Sequence, residues 1–222
     1  MRAMIRFGKQ PRLRFISHLD LQRFFQRALN RTGLPIAWTQ GFNPHPIMSF
    51  GSALALGWTS EYEIVDFKLA APMGRKRVED AMRASLPVDL PVLEVKLADD
   101  RHPAPMAMVQ ASDYRIELPE DAAVGILNAV PEFLNRESVL AMRKTKSGEK
   151  EVDIRPLALS LSVSQNTLNA RLKLTERDTL KPDLLIETLS QMAGREAPEI
   201  RVHRTCLLGL DADGNLKPLM EL

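Results

Sequence analysis

The apolar positions of the chain alternate between a period of two and a period of three to four. Residues 4–7 and 13–16 read as a short strand pair, or as one strand interrupted at 8–11 where Gly and Pro punctuate it. A helix is predicted next. Ser17 stands three residues before Asp20, which is capping-box spacing, and Leu21, Phe24, Phe25, Ala28 and Leu29 form a helical stripe. Gly33 sits where a left-handed C-terminal cap is expected. Residues 34–39 suit a returning strand, and the prolines of GFNPHP (41–46) then hold Asn43 and His45 extended. Residues 48–56 and 61–69 flank 57–60 as a hairpin. Val65, Phe67 and Leu69 alternate there with Asp66 and Lys68, which predicts one buried and one wet face. A second amphipathic helix is predicted over 75–86, with Val78, Ala81, Met82 and Leu86 on one side. Leu93, Val95 and Leu97 alternate with Glu94 and Lys96 as a further strand.

After a Pro-containing segment at 99–112, the pattern begins again. A strand at 114–118 precedes a helical stretch over 120–135 that Pro131 divides. Strands at 139–144 and 152–154 lie on either side of a Ser147-Gly148 turn, and 157–164 and 168–174 form a hairpin. A helix over 181–192, with Pro182 in its first turn, leads to a closing strand at 200–210. Two passes through strand-helix-strand-strand-helix-strand predict an α+β protein of two tandem ferredoxin-like units with antiparallel sheets. The expected division is 1–98, a linker at 99–112, and 113–222.

The content, 45% hydrophobic and 26% charged, is that of a soluble globular chain. No apolar run has the length a membrane helix needs, and the start MRAMIRFGKQ lacks the apolar core of a secretion signal, so a cytoplasmic protein is expected. The single cysteine, Cys206, excludes an intrachain disulfide and is most simply a buried strand residue. Charge changes the picture more. The net value is only +2, yet residues 1–50 hold eight Lys or Arg against Asp20 alone, a local +7 that leaves about −5 for the remainder. Such an asymmetry indicates a polyanion-facing surface, or simply a solvated face.

Within that segment, Arg23, Arg27 and Arg31 recur every four residues and line one exposed helix edge. With Arg12, Arg14 and Asn43 they form a candidate RNA-binding set, and Phe42 or Trp38 offers a stacking face. His18, Asp20 and His45 are the candidate catalytic or metal-ligating residues, for a divalent metal or for metal-free acid–base work. Each also has a structural account: Asp20 completes the cap, His18 bonds a loop carbonyl, and His45 belongs to a rigid turn. A second basic stretch at 143–150 reads as a solvated hairpin tip; Asp153 and Arg155 are candidates for an ion pair or part of the site, though alternation along a strand accounts for them without function. DADGN at 211–215 reads as a turn, since no glutamate follows where a calcium loop needs one.

Four pieces together, FISHLD (15–20), Arg27-Ala28 through Gly33-Leu34-Pro35, GFNPHP (41–46) and EVDIRP (151–156), resemble the radical-SAM-linked proteins, a family of unknown function found alone or fused to B12-binding radical SAM enzymes. The resemblance implies association with radical SAM proteins and with RNA processing or ribosome assembly. Ile47 departs from the usually basic residue after the last proline, which removes one phosphate contact. The chain lacks the closely spaced cysteine trio of a radical SAM cluster and is not itself that enzyme. The leading expectation is a non-catalytic RNA-binding or adaptor protein that works with a radical SAM partner in RNA modification or ribosome-related metabolism. The competing expectation is a metal-dependent hydrolase or metal-free ribonuclease centred on His18 and His45, and a purely structural interaction domain is a third.

Overall fold

The structure, a computed structural model, describes residues 1–145 and 148–222; Lys146 and Ser147, at the tip of the predicted 143–150 hairpin, lie outside the described residues. The chain divides into two compact units. Unit 1 comprises Met1–Val109 with Cys206–Leu222, and unit 2 is Gln110–Thr205.

In unit 1, strands β1 (Arg2–Lys9), β3 (Thr59–Lys68) and β4 (Val92–Ala98) carry helices α1 (His18–Arg31) and α2 (Arg75–Ser85). β1 lies between the other two and pairs antiparallel with both. Ala3, Ile5 and Phe7 of β1 alternate onto the face where Leu21, Phe25 and Leu29 of α1 meet Val78 and Met82 of α2, which makes one core. Phe25 is its centre: its ring is 4.8 Å from Phe7 and 5.5 Å from Phe50 between centroids. A Phe25→Ala change therefore removes about 3–5 kcal/mol. The short β2 (Met48–Phe50) adds antiparallel to the end of β3, with Met48 opposite Phe67. The one-turn α3 (Pro105–Met108) lies within the predicted linker stretch.

Unit 2 holds β5 (Ala111–Glu117), α4 (Glu120–Leu127), α5 (Val130–Asn135), β6 (Leu140–Thr145), β7 (Gly148–Asp153), β8 (Ala158–Ser164), β9 (Thr167–Lys173) and α6 (Pro182–Met192). Pro131 separates α4 from α5 as its missing N–H requires. Leu168 and Leu172 of β9, Ile116 of β5, Ile126 of α4 and Leu185 and Leu189 of α6 are among its most buried side chains. β6 and β7 pair only with each other, as a two-stranded sheet. β10 (Arg201–Leu210) is divided between the units, and β11 (Leu216–Pro218) returns beside its end.

The α+β class holds, but the two tandem ferredoxin-like sheets do not exist. Nine strands form one sheet in the hydrogen-bonded order β4-β1-β3-β10-β5-β9-β8, with β2 and β11 attached. It is mostly antiparallel, with one parallel pair. The long strand expected to close the second unit is the cause: β10 lies between β3 and β5 rather than closing a sheet of its own. Alternation along a strand fixes which side chains go in, not which distant strand it bonds.

Other corrections are local. Residues 13–16 are not a strand: Leu13, Arg14 and Ile16 close successive tight turns onto Gln10, Pro11 and Leu13. Residues 34–39 form only isolated bridges, Ile36 to Leu69 and Trp38 to Pro46. The predicted strand at 48–56 is only three residues long. Asp66, expected in water, is 0% exposed, because Arg2 and Ser49 from the neighbouring strands both donate to its carboxylate. Leu93, expected inward, is exposed because the β1–β4 register passes from Arg6 opposite Glu94 to Phe7 opposite Val92 and leaves it as a bulge. Cys206, expected to be buried, is only half-buried. No helix among the described residues is long and apolar enough to cross a membrane.

Candidate functional site

The site residues of unit 1 are positioned by three local devices. The first is Lys9, at the end of β1. Its side chain is only 2% exposed, and its ammonium donates to the carbonyls of Arg14 (3.1 Å) and Ile16 (3.0 Å). Burial lowers its pKa, opposed by the Glu63 carboxylate. Lys9 thereby fixes the turn at 11–16, and the Gly57 amide bonds the Arg14 carbonyl at 2.9 Å from the other side. The turn presents Arg12, Arg14 and an exposed Phe15, with the Arg14 guanidinium 4.4 Å above the Phe15 ring. Neither the Lys9 anchor nor the exposure of Phe15 follows from spacing. A lysine before a Gln-Pro turn resembles any surface lysine, and the signal is its length matched to two carbonyls that have no strand partner.

The second device is the start of α1. Ser17 is the N-cap and its hydroxyl accepts from the Asp20 amide at 3.2 Å, as the spacing predicts. The carboxylate of Asp20 takes the serine proton at 2.6 Å instead of reaching back to the Ser17 amide, so only half of the capping box forms. Asp20 also lies 3.5 Å from Arg23. His18 is half-buried, its ring edge-on to Phe50 with centroids 5.1 Å apart. Gly33 adopts φ +65°, the left-handed cap that ends the helix. Between these ends Arg23, Arg27 and Arg31 are all exposed. Arg31 reaches the Ser85 carbonyl at 3.4 Å, while the Arg27 and Arg12 side chains have no hydrogen bond or ion pair among the described residues. The predicted cationic edge is therefore in place, with its central guanidinium unengaged.

The third device is a small arm at 37–47. Ala37 bonds the Lys68 carbonyl and accepts from Ile47, both at 2.9 Å, and the Thr39 amide donates to the His45 carbonyl at 2.9 Å. The Thr39 hydroxyl closes the tip by accepting from the His45 amide at 3.1 Å. His45 Nδ1 is 3.2 Å from both that hydroxyl and the Asn43 carbonyl. In the tautomer that carries its proton on Nδ1, the ring donates to the Asn43 carbonyl and its Nε2 lone pair has no partner among the described residues. At the tip Phe42 is fully exposed, and Asn43, Trp38 and Ile47 are exposed with it. A Phe ring free on all sides, on a loop braced by Pro44 and Pro46, is a stacking surface without an internal partner.

The three candidate ligands go separate ways in these local contacts. His18 lies against Phe50, the Asp20 carboxylate accepts from the Ser17 hydroxyl, and His45 belongs to the arm. Among the described residues no three His, Cys, Asp or Glu side chains gather to hold a metal ion.

In unit 2 the charged side chains Asp153 and Arg155 of the motif at 151–156 bond to the backbone. Asp153 accepts from the amides of Val139 (2.9 Å) and Arg155 (3.1 Å), the first being the main cause that holds its carboxyl below the ordinary range. The Arg155 guanidinium donates to the carbonyls of Leu134 (3.2 and 3.1 Å) and Ala158 (3.2 Å). The two side chains do not bond each other, as an ion pair would require; each is a clamp on the backbone. Arg143, in the second basic stretch, donates to the Thr179 carbonyl. DADGN is the turn between β10 and β11, with Asp211 accepting from the amides of Asp213 (3.0 Å) and Asn215 (2.8 Å).

The class these features define is an α+β protein whose first unit carries a cationic helix edge, followed along the chain by an aromatic-tipped arm. Residues 2–182 match the family described as "Uncharacterized protein conserved in bacteria (DUF2344)", and the chain belongs to that family. No curated protein matches the chain.

Proposed function

We propose that the chain binds RNA through unit 1 as the non-catalytic partner of a radical SAM enzyme acting in RNA modification or ribosome-related metabolism. The observation that carries the RNA part is the α1 edge. Arg23, Arg27 and Arg31 stand at one-turn intervals in solvent with only Asp20 to offset them, and Arg12 and Arg14 extend the charge into the preceding turn. Phosphate neutralisation by such a row gives sequence-independent affinity. Phe42 and Asn43 supply what a row of arginines lacks, a ring on which an unpaired base stacks and an amide that can bond its edge. The radical SAM partner rests on the resemblance of the FISHLD, GFNPHP and EVDIRP pieces. Binding of a fluorescent single-stranded RNA across a salt series tests the RNA part. Changing Arg23, Arg27 and Arg31 together to Ala should weaken binding and lower the slope of log affinity against log salt by about 2. An unchanged slope removes the assignment. Co-purification with a radical SAM protein from cells tests the partner.

One observation favours a second reading, a metal-free ribonuclease: the His45 ring is oriented with Nε2 unpartnered, as a general base requires. RNA cleavage that persists in chelator and disappears in His45→Gln, with RNA affinity retained, would establish it.

A further inference from the structure

We propose that β8 is a self-association edge, through which two copies of the chain pair antiparallel about a two-fold axis at Ser162. The sheet ends at β4 on one side and at β8 on the other, and the two edges are built differently. β4 carries Glu94 and Lys96 and is bulged at Leu93, both of which keep a further strand from adding. β8, with the sequence ALSLSVS, has neither protection. No Lys, Arg, Asp, Glu or Pro occurs between Pro156 and Arg171, and its one irregularity lies between Ala158 and Ser160. The stretch 160–164 is regularly paired with β9.

That pairing fixes which groups face outward. Ser164 opposes Thr167 across the two-residue loop Gln165-Asn166. In a hairpin of this kind the flanking pair is bonded and alternate pairs follow, so the N–H and C=O of Leu161 and Val163 point away from β9. No other strand among the described residues pairs with them. The side chains agree. Leu161 opposes Ala170 and Val163 opposes Leu168, both of which are core residues, so the apolar side of the sheet continues onto β8. There it loses its cover, and Val163 is 46% exposed.

The neutrality of the strand selects a second copy as the occupant. When identical strands meet antiparallel about a two-fold, each residue faces itself or its mirror position, and every like charge would repel. Centred on Ser162, the pairing sets Leu161 against Val163 of the second copy, Ser160 against Ser164 of the second copy, and Ser162 against its own equivalent. Apolar meets apolar and hydroxyl meets hydroxyl, and the bonded positions are the ones with outward N–H and C=O. A contact this short lies at the small end of interface sizes, so the dimer is reversible.

Sedimentation velocity over a concentration series of the full chain tests the idea with Ser162→Lys, Ser162→Glu and their mixture. Ser162 is exposed, so both variants should keep the wild-type melting temperature, which is checked alongside. The wild type should pass from monomer to dimer as concentration rises, each variant alone should stay monomeric, and the equimolar mixture should dimerise more strongly than the wild type. A wild type that remains monomeric throughout overturns the proposal. So does a Ser162→Lys protein that dimerises as well as wild type, or a mixture that fails to associate, since either result places the contact on another surface. An extended segment of a different protein bound along β8 of a monomeric wild type would also overturn it, in favour of heterologous strand addition.

Discussion

Arg155 in unit 2 and Arg27 in unit 1 both belong to sequence pieces that stand out along the chain, EVDIRP and the exit of α1, and they serve opposite ends. The Arg155 guanidinium is taken up by backbone carbonyls at the end of α5 and the start of β8, while its neighbour Asp153 ties the base of the β6–β7 hairpin. Three of its five N–H donors are spent on the backbone. Arg27 sits between Arg23 and Arg31 on the wet side of α1, and among the described residues its donors meet no protein group. The same contrast separates two carboxylates of such pieces, since Asp153 accepts two amides and Asp20, out in solvent, accepts among the described residues only from the Ser17 hydroxyl and the Arg23 guanidinium. A motif marks where residue identity matters. Whether it matters for folding or for binding depends on where the polar atoms end up.

That comparison can be broken most directly at Arg155. Arg155→Ala leaves the carbonyls of Leu134 and Ala158 without their donor, and it should lower the urea-unfolding free energy by about 2–4 kcal/mol while leaving RNA affinity unchanged. Loss of RNA binding in a protein that remains folded would instead move Arg155 into the site. Phe42→Ala is the converse: it should remove about 1–3 kcal/mol of single-stranded RNA affinity by titration with no change in melting temperature. Arg27→Ala should shift stability by less than about 0.5 kcal/mol in the same unfolding assay, because it leaves no group unpaired.

Asp153 sharpens the comparison through pH. Its folded pKa lies below the ordinary 3.8, chiefly because the Val139 amide bonds the charged form. Its stabilising contribution is therefore present above pH 3.8 and is lost as pH falls through the folded value. The advantage of the wild type over Asp153→Asn, followed by thermal melts, should be full at neutral pH and fade below pH 3.8; a difference that persists in acid would mean that the carboxylate charge is not what clamps the hairpin. The smallest effect is expected at Gln165, which holds φ +54° in the β8–β9 turn. Gln165→Gly should raise stability by a few tenths of a kcal/mol, because glycine adopts that conformation without a Cβ penalty.

Much of unit 1's site was legible because its signals are local. The Ser17 cap, the stripe from Leu21 to Leu29, the arginine row and the Gly33 exit all lie within one helix and its two ends. The rest was not legible, because it depends on reach across the fold. Lys9 anchors the turn at 11–16 only because that turn folds back over the end of β1. Asp66 is buried only because Arg2 and Ser49 come from two other strands to meet it. The exposure of Phe42 is a fact about what does not pack against it.

By itself the sequence determined the α+β class, the positions of α1, α2 and α6, the cut at Pro131 and the charge asymmetry of the first 50 residues. Periodicity, caps and proline chemistry act within a few residues, so they can be read along the chain. Only the tertiary structure decided that β10 joins β3 and β5 in one nine-stranded sheet, that Asp153 and Arg155 clamp the backbone, and that β8 is left as a neutral edge. Those outcomes depend on which distant strand supplies the partner for a row of N–H and C=O groups. Every strand offers the same backbone row, so its sequence does not name the partner.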